Sequence, residues 1–144
     1  MEVFMKRAFH FVYTILALNF FIPVFVYIFD PHSALTQFVS VGALLGTPAY
    51  IHSEDSVLWR VLAIANVTTL GFCCVLLQVN IRKWYPALVP LAFLKSMAAL
   101  GFLIAFMAEP FRGYLAAFAL DSTTVLLMVF FARGAYKKAG QGLT

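Results

Sequence analysis

The sequence predicts an all-α integral membrane protein, a bundle of four transmembrane helices with one short amphipathic helix outside the cytoplasm. Hydrophobic residues make up 63% of its 144 residues and charged residues only 11%. An average soluble domain is roughly half apolar and a quarter charged. The chain also contains four apolar runs of the roughly 20 residues that a helix needs to cross a bilayer. Its length predicts a single membrane domain, residues 1–144.

The first predicted span, residues 8–29, contains no charged residue. It has no small-residue cleavage site, so we expect a retained anchor and not a signal peptide. Asn19 lies four residues before Pro23, and a proline leaves the carbonyl four residues earlier without its helix partner. We therefore expect a kink with unsatisfied polar groups at Asn19. The alternative is a purely structural kink at which Asn19 bonds a neighbouring helix.

A short helix is predicted over residues 31–46. Asp30 and Pro31 form a helix-start signal, a side-chain cap followed by proline at the first helical position. Apolar residues such as Leu35 and Phe38 recur at helical spacing, but the segment is too short to cross a bilayer. Such a segment lies at the interface or enters the bilayer as a re-entrant piece, and we expect it to lie along the outer interface and cover the mouth of the bundle.

The remaining spans are predicted at residues 57–79, 87–108 and 113–132. A tight basic turn, residues 80–86, joins the second span to the third. The tail from residue 133 onward is expected to fray.

The basic residues predict the orientation. Seven lie at the ends assigned to one side and two at the other, and cytoplasmic loops carry the excess of Lys and Arg. Both termini are therefore expected in the cytoplasm. The seven are Lys6, Arg7, Arg82, Lys83, Arg133, Lys137 and Lys138, and the two are Arg60 and Arg112.

Each span carries one strongly polar residue near mid-depth: Asn19, Asn66, Lys95 and Asp121. At about 1.5 Å per residue, the four lie within about 6 Å of one level. A charge at this depth is costly unless it is paired or faces protein or water, so we expect Lys95 and Asp121 to be partners inside the bundle. Two interpretations stay open, a structural clasp that fixes helix register and a site that meets a ligand, proton or partner group.

Other kinds of site have little support. His32 and His52 share the outer side with carboxylates, but they lack a fixed ligand spacing, and no metal site is predicted. Cys73 and Cys74 are adjacent helical residues that point about 100° apart, so they are not expected to form a disulfide. No basic stripe with interleaved aromatic residues suggests nucleic acid. No catalytic residue is identified.

The pattern resembles the DoxX-like group of small bacterial four-helix membrane proteins. The resemblance lies in the first span, the Asp30–Pro31 helix start, residues 58–62 (LWRVL) at the second span, and Lys95 with Asp121 in the last pair. It implies a multi-pass protein of the bacterial cytoplasmic (inner) membrane. Some members of that group are linked to quinone-associated oxidoreductase complexes, which makes a quinone or another lipid the candidate ligand.

The sequence thus favours a non-catalytic membrane module that binds a lipid-soluble, quinone-like molecule or a partner around Lys95 and Asp121. The alternative is an accessory subunit of a larger membrane complex, or a homo-oligomer, in which the pair is a structural clasp. A membrane enzyme is the third candidate. No cofactor is predicted.

Overall fold

The computed structural model describes residues 2–46 and 57–141, and these form helices and short connections. The helices are α1 (Glu2–Phe29), α2 (Pro31–Leu44), α3 (Val57–Val79), α4 (Ile81–Trp84), α5 (Leu88–Ala108) and α6 (Arg112–Gln141). A single 3₁₀ turn, Tyr85–Ala87, lies between α4 and α5. Four of the helices, α1, α3, α5 and α6, are long and apolar enough to cross a membrane. The all-α class and the four long apolar helices are confirmed.

The four long helices form a ring in the order α3, α1, α6, α5. Extensive contacts join α1 to α3 and α5 to α6, and α1 also packs against α6. The fourth side of the ring is different, because α3 touches α5 at only a few positions. The short helix α2 packs on α6 and α1.

The main core occupies one end of this ring, the end at which α3 stops and α5 begins. We call it the basic end, because it carries the seven basic residues named above, and we call the opposite end the α2 end. The core side chains of α3 and α5 come from the halves nearest the basic end, and the buried Ala99 of α5 lies outside this core. The core consists of Phe9, Tyr13, Leu16, Ala17, Phe20, Leu70, Cys73, Cys74, Leu77, Leu88, Leu91, Met128 and Ala132. Both cysteines are free, as expected.

Helix α2 begins as predicted. The Asp30 side chain accepts a hydrogen bond from the Ser33 N–H at 3.2 Å, and Pro31 is the first helical residue. The helix ends at Leu44, two residues earlier than expected, and Gly46 adopts a φ of 80°. This left-handed conformation favours glycine and ends the helix.

The expectation that the tail frays is wrong for residues 133–141, and residues 142–144 lie outside the described residues. Helix α6 continues through Arg133 to Gln141, because the segment before α5 packs on it. The rings of Tyr85 and Tyr136 lie 4.2 Å apart, and the Arg82 guanidinium lies beside Gly140. The predicted basic turn is itself helical.

The observed ends of the other long helices are closer to the predicted ones. α1 begins at Glu2, six residues before the predicted span, and remains helical through Pro23. α3 has the predicted bounds, and α5 begins one residue later than expected. The predicted stop at Thr47–Pro48 and the loop with His52 lie outside the described residues.

Candidate functional site

Lys95 and Asp121 form an ion pair between α5 and α6. The Lys95 Nζ donates a hydrogen bond to the Asp121 Oδ1 at 2.6 Å. The link of three residues between the two helices makes them antiparallel neighbours, and this aligns two positions that are 26 residues apart. The prediction that these residues interact is confirmed.

The faces of the two helices explain why the charges meet inside the ring. Lys95 lies four residues from the buried Leu91 and four from the buried Ala99, on the inward face of α5. Asp121 lies two turns before the buried Met128 on α6. The two side chains keep exposed fractions of 16% and 13%. The pair is therefore protected by the bundle without being sealed inside it.

Helix α1 contributes an aromatic ring to the pair. Phe20 is 1% exposed, and the Lys95 Nζ lies 5.2 Å from the centre of its ring. An ammonium over an aromatic face is attracted by the ring's negative electrostatic potential. The sequence did not single out Phe20, because it lies in an aromatic run with no distinguishing mark.

A group of four rings lies on the α2 side of the ion pair. We call it the aromatic cluster: Phe38 of α2, Phe102 of α5, Phe111 of the α5–α6 link, and Tyr114 of α6. Phe38 contacts each of the other three rings, with centroid distances from 5.6 to 6.3 Å. Phe102 and Tyr114 each lie seven residues, or two helical turns, from Lys95 and Asp121 respectively. The cluster therefore connects α2 to the turns of α5 and α6 that lie next to the ion pair.

Phe111 fixes α2 in this position. Its ring is 2% exposed and lies so close to Gly42 and Gly113 that a Cβ at either glycine would collide with it. The Arg112 guanidinium also donates a hydrogen bond to the Leu45 carbonyl, just after the end of α2. The expectation that α2 covers the bundle is consistent with this packing, which the sequence did not reveal.

Asn66 lies on the inward face of α3, yet it is exposed. It is four residues from Leu70 and seven from Cys73, both of which are buried against the other helices. None of the residues from Arg60 to Thr69 is buried. Over residues 60–77, the inward face of α3 is thus covered near the basic end and less covered towards the α2 end.

Asn19 does not point into the bundle, which corrects the expectation of four inward polar residues. The buried face of α1 is formed by Phe9, Tyr13, Leu16, Ala17 and Phe20, and Asn19 lies beside that face and is exposed. Within residues 2–46 and 57–141, its side chain makes no hydrogen bond. Pro23 also lacks the N–H that would pair with the Asn19 carbonyl.

A buried hydrogen bond ties α1 to α6 below the ion pair. The Tyr13 hydroxyl donates to the Met128 carbonyl at 2.9 Å, and both residues are fully buried. This bond joins α1 to α6 two helical turns after Asp121. A tyrosine in an apolar span gave no sign of this bond.

The site can therefore hold a polar group by ionic hydrogen bonds, beside an aromatic ring and between apolar helices. His32 is exposed, His52 lies outside the described residues, and residues 2–46 and 57–141 contain no cluster of three or more candidate metal ligands. No family model matches the chain, and neither the curated proteins nor the solved structures include a significant match.

Proposed function

We propose that the chain is a polytopic membrane protein that binds a lipid-soluble molecule at the Lys95–Asp121 pair without catalysing a reaction on it. The observation that carries the proposal is the placement of this incompletely covered pair midway along two apolar helices. Charges at such a depth are rare and mark functional sites by default. Apolar packing alone could have held α5 to α6, since replacing a buried ion pair with apolar residues is often neutral or stabilising.

The basic residues support a topology for this proposal. The seven at the basic end would lie in the cytoplasm with both termini, and α2 would lie on the outer side. The choice of membrane, the cytoplasmic membrane of a bacterium, rests on the resemblance to the DoxX-like group.

The donor and acceptor groups define the ligand's polar part. The Lys95 ammonium has three N–H donors, and Asp121 occupies one of them. A ligand carbonyl could accept another, while a ligand hydroxyl could donate to the carboxylate. A quinone, in which carbonyl groups become hydroxyls on reduction and an apolar tail extends into the bilayer, fits both requirements.

The test uses a benzoquinone with a decyl tail as the probe and the full chain in lipid nanodiscs. We expect the parent chain to bind the probe. The double variant Lys95→Met/Asp121→Leu should stay folded and lose binding. If the parent chain does not bind, the proposed ligand class is wrong. If the folded double variant binds as well as the parent, the pair is only a clasp.

A second candidate, an accessory subunit of a larger membrane complex, is favoured by one observation. Asn19 presents an unpaired amide and an unpaired carbonyl in the middle of α1 on an exposed face, and such groups in apolar surroundings favour a bond to another helix. Purification in mild detergent separates the candidates. A stoichiometric partner that is lost in Asn19→Leu supports the accessory role, and a monomer in both chains refutes it.

A further inference from the structure

We infer that the ligand reaches the ion pair sideways from the bilayer, between the α2-end halves of α3 and α5, and that Asn66 hydrogen-bonds its polar group. This inference rests on the proposed function. It adds an entry route and a residue that determines which ligands are accepted.

The first step is the open inward face of α3. Leu70, Cys73 and Leu77 show which face of α3 turns towards the other helices, since they are 8% exposed or less. Asn66 and Ala63 continue this face at helical spacing, and neither is buried. Among the described residues, Asn66 is exposed and Ala63 is half-buried, so the neighbouring helices cover these two positions less than they cover Leu70, Cys73 and Leu77.

The second step is that the other routes are filled. At the α2 end, the aromatic cluster with the buried Phe111 blocks access to the ion pair. From the basic end, the core blocks access, with Leu77, Leu91 and Met128 each 0% exposed. Helices α5 and α6 pack along each other and hold the ion pair between them.

The α1–α3 side is also filled, and α1 packs against α6, where the Tyr13 hydroxyl donates a hydrogen bond to the Met128 carbonyl. Among the residues that the structure describes, one opening is left. The Phe21 ring fits so closely against Gly71 that a Cβ there would lie 2.9 Å from it. On the remaining side of the ring, α3 and α5 touch at only a few positions. This opening faces the acyl chains of the bilayer, because both helices are apolar along their length.

The third step is the ligand class. An asparagine amide can donate and accept a hydrogen bond, and Asn66 makes none with its side chain in the part of the chain that the structure describes. The ligand therefore carries two polar groups, one for the ion pair and one for Asn66, and its apolar tail remains in the bilayer. A ring with carbonyl or hydroxyl groups on opposite sides meets this requirement, whereas a simple hydrocarbon or a single-headed fatty alcohol does not.

The experiment measures the Kd of the decyl-benzoquinone probe for variants of the full chain in nanodiscs. Ala63→Trp places a large side chain in the proposed opening, and Val61→Trp is its matched control, because Val61 is 56% exposed on the outward face of the same helix. We expect Ala63→Trp to raise the Kd by at least about tenfold, equivalent to about 1.4 kcal/mol. We expect Val61→Trp to leave it within about twofold of the parent.

A second pair of variants tests the hydrogen bond without adding bulk. Asn66→Leu should raise the Kd about fivefold, the loss of one hydrogen bond, while Thr68→Leu on the outward face should not change it. If the parent chain binds the probe and both Ala63→Trp and Asn66→Leu bind it equally well, the entry route is wrong and the proposed function stands. If the parent chain does not bind, the proposed ligand class is wrong and this inference fails with it. Unchanged circular dichroism confirms that each variant is folded. If Ala63→Trp does not fold, the Kd of Asn66→Leu alone tests the inference.

Discussion

Removing either member of the Lys95–Asp121 pair should destabilise the protein more than removing both. Lys95→Met leaves a carboxylate among apolar helices, and Asp121→Leu leaves an ammonium there. The double variant leaves neither charge and replaces both side chains by apolar ones. The quantity to measure is the free energy of unfolding of the parent, the two single variants and the double variant, which together form a double-mutant cycle.

The structure sets the size of the effect. Breaking a buried ion pair costs about 3–5 kcal/mol, and exposed fractions of 16% and 13% place this pair near the lower value. We therefore expect each single change to cost about 3 kcal/mol. The double change only alters packing and should cost less than about 1.5 kcal/mol.

The assay is unfolding of the full chain in dodecyl maltoside micelles with increasing dodecyl sulfate, followed by far-ultraviolet circular dichroism. Lys137→Met is the matched control, because Lys137 is an exposed lysine at the basic end of α6, and it should change stability by no more than about 0.5 kcal/mol. A double variant that loses about 6 kcal/mol, as additive effects require, would show that the two side chains do not act as a pair.

Two further predictions concern other contacts, and a third concerns the topology. Phe111→Ala should lower the free energy of unfolding by about 3–5 kcal/mol, because it empties the site between α2 and α6. Its control, Leu44→Ala at a position 86% exposed, should lower it by less than about 0.5 kcal/mol. Equal losses in the same unfolding assay would show that Phe111 does not hold α2. Tyr13→Phe removes the bond to α6 and should cost about 0.6–1.7 kcal/mol by that assay, and no loss would mean that the bond contributes nothing. Cysteines introduced at Glu109 and Lys137 should react with a membrane-impermeant maleimide from opposite sides, with the parent chain, whose native cysteines are buried, as the control; reaction from the same side contradicts the topology.

Much of the architecture could be predicted because its causes are local in the chain. Apolar length gives the long helices, and the Asp30 side chain with Pro31 starts α2. The ion pair could be predicted from two charges of opposite sign and a link too short to allow anything but antiparallel neighbours. Each of these depends on residues close in sequence or on simple geometry.

The direction of Asn19 could not be predicted, because α1 is apolar on every side. Its exposed face carries Phe11 and Ile15, which are as hydrophobic as the buried Leu16, so no polar stripe shows which face packs inward. The packing position of α2 could not be predicted for a different reason. It depends on the contact between Phe111 and Gly42, which are far apart in the chain. Nothing in the sequence indicates that these two residues pair.

The short link between α5 and α6 has a consequence for biosynthesis. A helix inserted alone with a lysine or an aspartate at its centre meets an unfavourable free energy of about 2.5–3.5 kcal/mol. Because three residues separate these helices, α6 leaves the ribosome directly after α5, and in the proposed membrane topology the two enter the bilayer as one hairpin in which Lys95 and Asp121 already neutralise each other. A chain that stops after α5 would have to insert its lysine without a partner, so the pair would matter to the nascent protein before the bundle exists.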